Sequence, residues 1–145
     1  MVDTISKERR SWNMSHIRST NTKPELVVRS VLHQMGFRFR LHVKDLPGKP
    51  DIVLPKYHTV IFVNGCFWHQ HKSCKGATIP KTRTTWWKNK LDKNKERDKK
   101  VTSELKRIGY SVLVIWECET KQINRKELKH KLKSALLDNS SLVQQ

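Results

Sequence analysis

The chain has 145 residues, enough for one domain with a hydrophobic core of its own. Its 30 Lys and Arg residues against 13 Asp and Glu residues give a formal net charge of +17. No apolar run is long enough to span a membrane, and the N-terminus lacks the apolar stretch of a signal peptide. The charge favours a polyanionic partner, most often nucleic acid, over the alternative of a solvated basic surface with no specific partner. Three cysteines without an export signal indicate a reducing cytoplasm.

Hydrophobic periodicity and turn residues predict an alternation of helices and strands. The predicted elements are helices over 5–18 and 22–36, strands over 37–41, 51–54 and 59–63, a loop over 65–83, a helix over 84–108, a strand over 110–116 and a helix over 125–137. The strand over 59–63 is wholly apolar and is expected in the middle of the sheet. The polar stretch 92–100 leaves room for a break near Asn94 in the long helix. The order predicts an α/β fold in which helices flank one central mixed sheet.

The segment 65–74, which reads GCFWHQHKSC, has the spacing of a metal site. Cys66, His71 and Cys74 lie close together in the chain, and Cys118 follows the last predicted strand. Three sulfurs and one nitrogen complete the tetrahedral shell of a structural Zn²⁺ ion. The alternative is three unrelated buried thiols.

Phe67 and Trp68 stand between these ligands, where a metal-fixed loop would hold them in solvent. Rigid exposed aromatics on a basic protein predict insertion between the bases of a nucleic acid. His69 lies outside the ligand set and is either an ordinary hydrogen-bonded residue or a proton acceptor. Asp51 opens a strand after Pro50, where a carboxylate either caps a turn or holds Mg²⁺.

Pro50-Asp51, followed by the strand over 59–63, resembles the start of the PD-(D/E)XK nuclease pattern, although the second acid and the lysine of that pattern are missing from Phe62-Val63-Asn64. The set of motifs along the chain is similar to that of one family, the very short patch repair (Vsr-type) DNA mismatch endonucleases. These motifs are Asn13-Met14, 46–51 (LPGKPD), 60–62 (VIF), 65–69 (GCFWH), 82–84 (TRT), 94–98 (NKERD) and 114–118 (VIWEC).

The resemblance implies a single-domain restriction-endonuclease-like fold with a structural zinc site, and an enzyme that nicks one DNA strand. The expected nick lies 5′ to the T of a T:G mismatch that arises from deamination of 5-methylcytosine, and it initiates very short patch repair. The resemblance implies that Mg²⁺ binds Asp51 and the main-chain carbonyl of Val63. It implies that His69 is the general base and that Glu25 is the acid that supports it. Cys66, His71, Cys74 and Cys118 match the structural zinc ligands.

The resemblance also implies which residues contact the DNA. Phe67, Trp68 and Trp87 are expected to wedge beside the mismatch, and Met14 to enter from the other groove. Asn13, Arg83 and Asn94 are expected to contact DNA. Trp86 competes with Trp87 for the exposed role, because neighbouring helical residues point about 100° apart and one of the two should face the core. Asn64 stands where familiar members have a histidine.

For the organisation of the chain, we expect a DNA-contacting arm over 1–20, a nuclease domain over 21–137 and a disordered tail over 138–145. We expect a monomer, because the lesion is asymmetric. The expected partners are mismatched double-stranded DNA and, functionally, a cytosine-5 DNA methyltransferase and the repair machinery in a bacterial cytoplasm. An alternative from another class is a non-catalytic, zinc-stabilised module that binds and kinks DNA. A basic ribosome-associated protein is a third, and it leaves Phe67 and Trp68 unexplained.

Overall fold

The structure is a computed structural model that describes residues 21–143, with side chains up to residue 137. Its helices and strands are α1 (Lys23–Gln34), β1 (Arg40–Leu41), β2 (Ile52–Leu54), β3 (Thr59–Asn64), α2 (Thr84–Arg107), β4 (Ser111–Trp116) and α3 (Arg125–Val143). The predicted arm over 1–20, with Asn13 and Met14, lies outside the described residues. None of the helices in the described part has the length and apolar character needed to cross a membrane.

The four strands form one sheet in the order β1-β2-β3-β4. Strands β1, β2 and β3 pair in antiparallel fashion, whereas β3 and β4 are parallel, from Thr59 opposite Ser111 to Asn64 opposite Trp116. A parallel pair needs a long crossover, which α2 supplies. The prediction of a mixed sheet with 59–63 in its interior is confirmed, and β3 and β4 end at the same edge.

Each face of the sheet is covered by helices because the apolar strand residues point alternately to the two sides. The larger core cluster joins α1 and α3 to one face, and it contains Val28, Val31, Leu32, Ile52, Leu54, Ile61, Ile115, Leu128, Leu132 and Leu136. The smaller cluster joins α2 to the other face through Val53, Val60 and Leu105. The predicted α/β fold with flanking helices is therefore confirmed.

Two predicted boundaries differ from the structure. The strand expected over 37–41 shrinks to Arg40–Leu41, whose partners are Val53 and Ile52. Continuing this register would bring the ladder to Pro55, which has no N–H to donate. The final helix runs to Val143 and not to 137, because no Gly or Pro interrupts it. Disorder of the tail in solution stays a prediction.

The break that the polar stretch suggested near Asn94 is absent, and α2 is continuous from Thr84 to Arg107. Its inward face combines apolar and polar contacts at helical spacing. Leu91 and Leu105 are buried, whereas Asn94 and Asp98 form hydrogen bonds with the loop that follows β3. These bonds give the polar middle of the helix a tertiary partner that periodicity alone does not reveal.

Candidate active site and nucleic-acid interface

Asp51 lies immediately before β2, beside the end of β3. Its Oδ2 atom accepts a hydrogen bond of 2.8 Å from the backbone N–H of Val63. Because the N–H and C=O groups of a strand residue point to the same side, the carbonyl of Val63 is directed to the Asp51 side of β3 as well. Burial, aided by the neighbouring Glu25 carboxylate, raises the pKa of Asp51 to about 6. A cation would relieve this excess of buried negative charge.

Glu25 is held in the first turn of α1. Thr22 is the N-cap of this helix, and its hydroxyl accepts a hydrogen bond of 3.4 Å from the backbone N–H of Glu25. The Glu25 carboxylate does not return to the cap but is only 2 % exposed, with Oε1 2.9 Å from Nε2 of His42 and Oε2 3.0 Å from Nη2 of Arg29. Burial by itself would raise the pKa of Glu25, but its hydrogen bonds with His42 and Asp51 and the Arg29 charge lower it below the usual value.

His69 is paired with a different acid from the one expected. Its Nδ1 atom lies 2.6 Å from Oδ2 of Asp98 on α2. Glu25 does not contact His69 directly, because His42 and Arg29 engage it on the α1 side of Asp51. Its role as the acid that supports His69 stays a prediction. The backbone N–H of His69 donates to the carbonyl of Gly65, which fixes the residue in the turn after β3.

Asp51 and the His69–Asp98 pair face one cavity of about 550 Å³. His42 and the backbone-ligand candidate Val63 also line it, so acids and imidazoles converge on one space. Its other polar lining residues are Lys44, Lys49, Asn64, Asn94, Arg97 and Thr102. Lysine and arginine side chains at the border of a cavity that contains acids and imidazoles suit a phosphate-bearing substrate.

The four residues predicted to bind zinc come together. One donor atom from each of Cys66, His71, Cys74 and Cys118 lies within 4.8 Å of the others. Nδ1 of His71 is 3.7 Å from Sγ of Cys66 and 3.5 Å from Sγ of Cys118. Bonds of about 2.3 Å to sulfur and about 2.0–2.1 Å to nitrogen give tetrahedral edges of roughly 3.6 Å, so the donor set fits Zn²⁺.

The fold explains why these four residues meet. Cys66 follows β3 and Cys118 follows β4, and the two parallel strands end at the same edge of the sheet. The His71 ring stacks on Trp116 at 4.1 Å between centroids. A Cβ atom at Gly76 would lie 3.2 Å from Cβ of Cys66, so glycine permits the close approach of the loop.

Phe67, Trp68 and Trp87 form one aromatic cluster, with ring centroids 5.1–5.8 Å apart. Trp86 contacts the edge of this cluster through Trp87 at 4.8 Å. The expectation that one tryptophan of the pair faces the core is wrong. Trp86 is 45 % exposed and Trp87 is half-buried against the loop, because core contact along α2 begins only at Leu91.

Of the residues expected to contact DNA, Arg83 and Asn94 lie in the described part, and their surroundings differ. The Arg83 guanidinium lies 4.8 Å from the centre of the exposed Trp86 ring. The side-chain amide of Asn94 donates to the carbonyl of Trp68 over 3.0 Å, so it holds the loop that carries Phe67 and Trp68. DNA contact by either residue stays a prediction.

A second cavity of about 500 Å³ connects the aromatic cluster with the first cavity, the acid–imidazole cleft. Trp68, Trp86, Trp87 and Lys90 line it, and it shares His69, Asn94 and Arg97 with the first cavity. The aromatic cluster and the acid–imidazole cleft therefore lie side by side on one surface.

Sequence reasoning missed three residues of the site: Asp98, His42 and Arg29. Asp98 could have been found, because it lies one helical turn after Asn94 in a motif already singled out. His42 and Arg29 carry no such signal, since only the tertiary structure brings them to Glu25.

A protein-family model described as DNA mismatch endonuclease Vsr matches residues 2–75. The type II nicking enzyme V.XorIIP of Xanthomonas oryzae pv. oryzae is 47 % identical over 127 residues, which cover 88 % of this chain and 93 % of that protein. The type II nicking enzyme V.NmeAIP of Neisseria meningitidis is 50 % identical, over 83 % of this chain and 86 % of that protein. The DNA mismatch endonuclease Vsr of Escherichia coli is 43 % identical, over 81 % of this chain and 75 % of that protein.

Proposed function

Because the chain belongs to the Vsr family of DNA mismatch endonucleases, we propose that it nicks one strand of DNA on the 5′ side of the T in a T:G mismatch. Such mismatches arise by deamination of 5-methylcytosine, and the nick would initiate very short patch repair. The observation that carries this proposal is the position of the aromatic cluster beside a cleft that contains Asp51 and the His69–Asp98 pair.

His69 is the proposed base of the cleft, and its contact with Asp98 would select its tautomer. When Asp98 accepts the Nδ1 proton of His69, the Nε2 atom of the imidazole becomes the basic nitrogen. His69 can then take a proton from a water molecule as that water attacks the phosphorus of the scissile phosphodiester. The ester bond from phosphorus to the leaving sugar oxygen breaks in the same step, and solvent water protonates that oxygen. Lys44, Lys49 and Arg97 would attract the DNA backbone to the cavity.

Asp51 and the carbonyl of Val63 would hold Mg²⁺, and the half-buried Asp51 carboxylate beside the buried Glu25 carboxylate fits a hard divalent cation. When bound, the ion would stabilise the negative charge that develops on the phosphate. Zn²⁺ would occupy the Cys66, His71, Cys74 and Cys118 cluster in a structural role, because four protein ligands leave no open position.

The aromatic cluster would supply the recognition step. Separating base pairs to admit an apolar side chain costs a few kcal/mol per step, and stacking on an aromatic ring returns about 1–3 kcal/mol per base. The two energies nearly cancel, so a weak T:G pair would open more readily than a Watson–Crick pair. We propose that Phe67, Trp68 and Trp87 perform this step, with Met14 from the arm that precedes the described residues.

A labelled duplex with one central T:G pair tests the function in Mg²⁺, with the same duplex carrying T:A as the substrate control. We expect one nick beside the T, lost in Asp51→Ala and retained in Asp45→Ala, an exposed acid of the loop before β2. Tight binding of the T:G duplex without scission would contradict the proposal and support the non-catalytic DNA-kinking module. A set of duplexes with varied flanking bases would then define the sequence context and, through it, the associated cytosine-5 methyltransferase.

A further inference from the structure

Glu25, His42 and Asp51 form a second cluster of metal-binding side chains, on the α1 side of the cleft. Each contributes one donor atom, and these atoms lie within 4.8 Å of one another. The proposed function uses Asp51 from this cluster and gives no role to His42 or to Arg29, which contacts both Glu25 and His42.

The Glu25 carboxylate is held at both oxygens. Oε1 is 2.9 Å from Nε2 of His42, and Oε2 accepts a hydrogen bond of 3.0 Å from Nη2 of Arg29. An ionised carboxylate has about four acceptor positions, so two positions stay open while these partners fix its orientation. A carboxylate oxygen of Glu25 also lies within 4.8 Å of a carboxylate oxygen of Asp51, so the two acids are close neighbours.

Both partners of Glu25 are themselves fixed. The backbone N–H of His42 donates to the carbonyl of Asp51 over 3.2 Å, so the imidazole and the acid are tied through the backbone. His42 has a φ of 48°, a left-handed conformation that non-glycine residues seldom adopt and that often marks functional sites. Arg29 lies one helical turn after Glu25, and its Nη2 atom also donates to Asn21 over 2.7 Å.

These contacts have a consequence for the metal site. Strand β3 carries Val63 and Asn64 where a second acid is usual for a nuclease of this pattern, so Asp51 alone offers few side-chain ligands. We infer that His42 and Arg29 are positioning residues that hold the Glu25 carboxylate against Asp51, so that Glu25 serves as the second acidic group of the cation site. This inference rests on the proposed function, because it concerns the same cleft.

The first test measures metal binding directly. Binding of Mn²⁺, used as a spectroscopic substitute for Mg²⁺, is followed by electron paramagnetic resonance in the wild type and in His42→Ala, Arg29→Ala and His42→Gln. We expect the first two to weaken Mn²⁺ binding about 10- to 100-fold, the usual effect of removing a group that orients a ligand. His42→Gln, which keeps an N–H donor near Glu25, should restore most of the affinity. Exposed His33→Ala and Arg38→Ala should match the wild type.

The second test asks whether His42 acts through Glu25. Single-turnover nicking and the Mg²⁺ concentration for half-maximal rate are measured in His42→Ala, Glu25→Gln and the double variant. Residues that act as one unit give non-additive effects, so the double variant should be no slower than Glu25→Gln. DNA affinity in Ca²⁺ and the melting temperature are followed in each variant, because positioning should leave the DNA affinity unchanged.

The inference is overturned if His42→Ala and Arg29→Ala bind Mn²⁺ as the wild type does. It is also overturned if His42→Ala slows nicking by the same factor in the wild-type background and in the Glu25→Gln background. A loss of rate in His42→Ala that is explained wholly by weaker DNA binding would overturn it as well. Should the wild type fail to nick a T:G duplex, the proposed function fails, whereas the Mn²⁺ measurements still decide whether His42 and Arg29 organise a cation site.

Discussion

Nδ1 of His69 and Oδ2 of Asp98 are 2.6 Å apart, across 29 positions of sequence. The pair joins the turn after β3 to the middle of α2, and Asn94 ties the same two elements through the Trp68 carbonyl. The helix that borders the aromatic cluster therefore also sets the orientation of the proposed base. The same helix therefore holds both the residues proposed to recognise the mismatch and the proposed base.

Asp98→Asn should slow nicking without weakening DNA binding. The asparagine keeps the shape of the side chain but can present its amide N–H to His69 and so favour the wrong tautomer. General-base catalysis contributes about 10²–10⁴-fold, and we expect Asp98→Asn to lose at least about 10-fold of that rate. Single-turnover nicking with bound T:G duplex measures the loss. Asp92→Asn, an exposed acid of the same helix, is the control, and equal rates for the two variants would contradict the assignment.

Removal of metal from the cysteine cluster should destabilise the domain. Structural zinc supplies on the order of 10–16 kcal/mol in small peptides, comparable to the whole stability of a domain, about 5–15 kcal/mol. We expect bound zinc in the purified protein, and a lower melting temperature after chelation or in His71→Ala. Metal analysis and thermal melting check both, with exposed His33→Ala as the control. A chelated sample that melts as the untreated protein and binds DNA equally well would count against a structural ion.

Asp51 should make the metal-free protein less stable as the pH rises. Its folded-state pKa of about 6 exceeds the ordinary value of 3.8, so between these values the folded state binds more protons than the unfolded state. Stability is then lost as the pH increases through that window and stays lower above it. Metal-free Asp51→Asn should therefore melt above the metal-free wild type, by a margin that grows from about pH 4 to about pH 7.

Added Mg²⁺ provides the check on that prediction. It should raise the melting temperature of the wild type at neutral pH and leave Asp51→Asn nearly unchanged, because only the wild type has the carboxylate that would hold the ion. A margin between the two proteins that does not vary with pH would show that the charge of Asp51 carries no such cost.

Trp87→Ala should weaken mismatch binding more than Trp86→Ala. Trp87 contacts both Phe67 and Trp68, so its loss removes a stacking surface and loosens the other two rings, whereas Trp86 touches the cluster only at Trp87. One stacking interaction is worth about 1–3 kcal/mol, which corresponds to a rise in Kd of roughly 5- to 150-fold for Trp87→Ala. The Kd for T:G and T:A duplexes should converge in this variant, and an equal or larger effect of Trp86→Ala would reverse the assignment.

The sequence by itself determined the α/β order, the interior position of β3 and the set of three cysteines and one histidine that comes together as a candidate metal site. Local propensity and periodicity act over a few residues, and the three cysteines and His71 are recognisable from chemistry and spacing alone. Phe67 and Trp68 could also be singled out from the sequence, because apolar side chains between candidate metal ligands are unusual.

Only the tertiary structure decided which acid accompanies which imidazole. His69 meets Asp98, and Glu25 meets His42 and Arg29, because the packing of α1 and α2 on opposite faces of the sheet brings each acid to a different side of Asp51. Side-chain pairs between different elements produce no periodic pattern in the sequence, since each side chain alone is an ordinary polar residue of a helix or turn. The same reason explains the unbroken α2, whose polar middle is satisfied by a loop and not by its own neighbours.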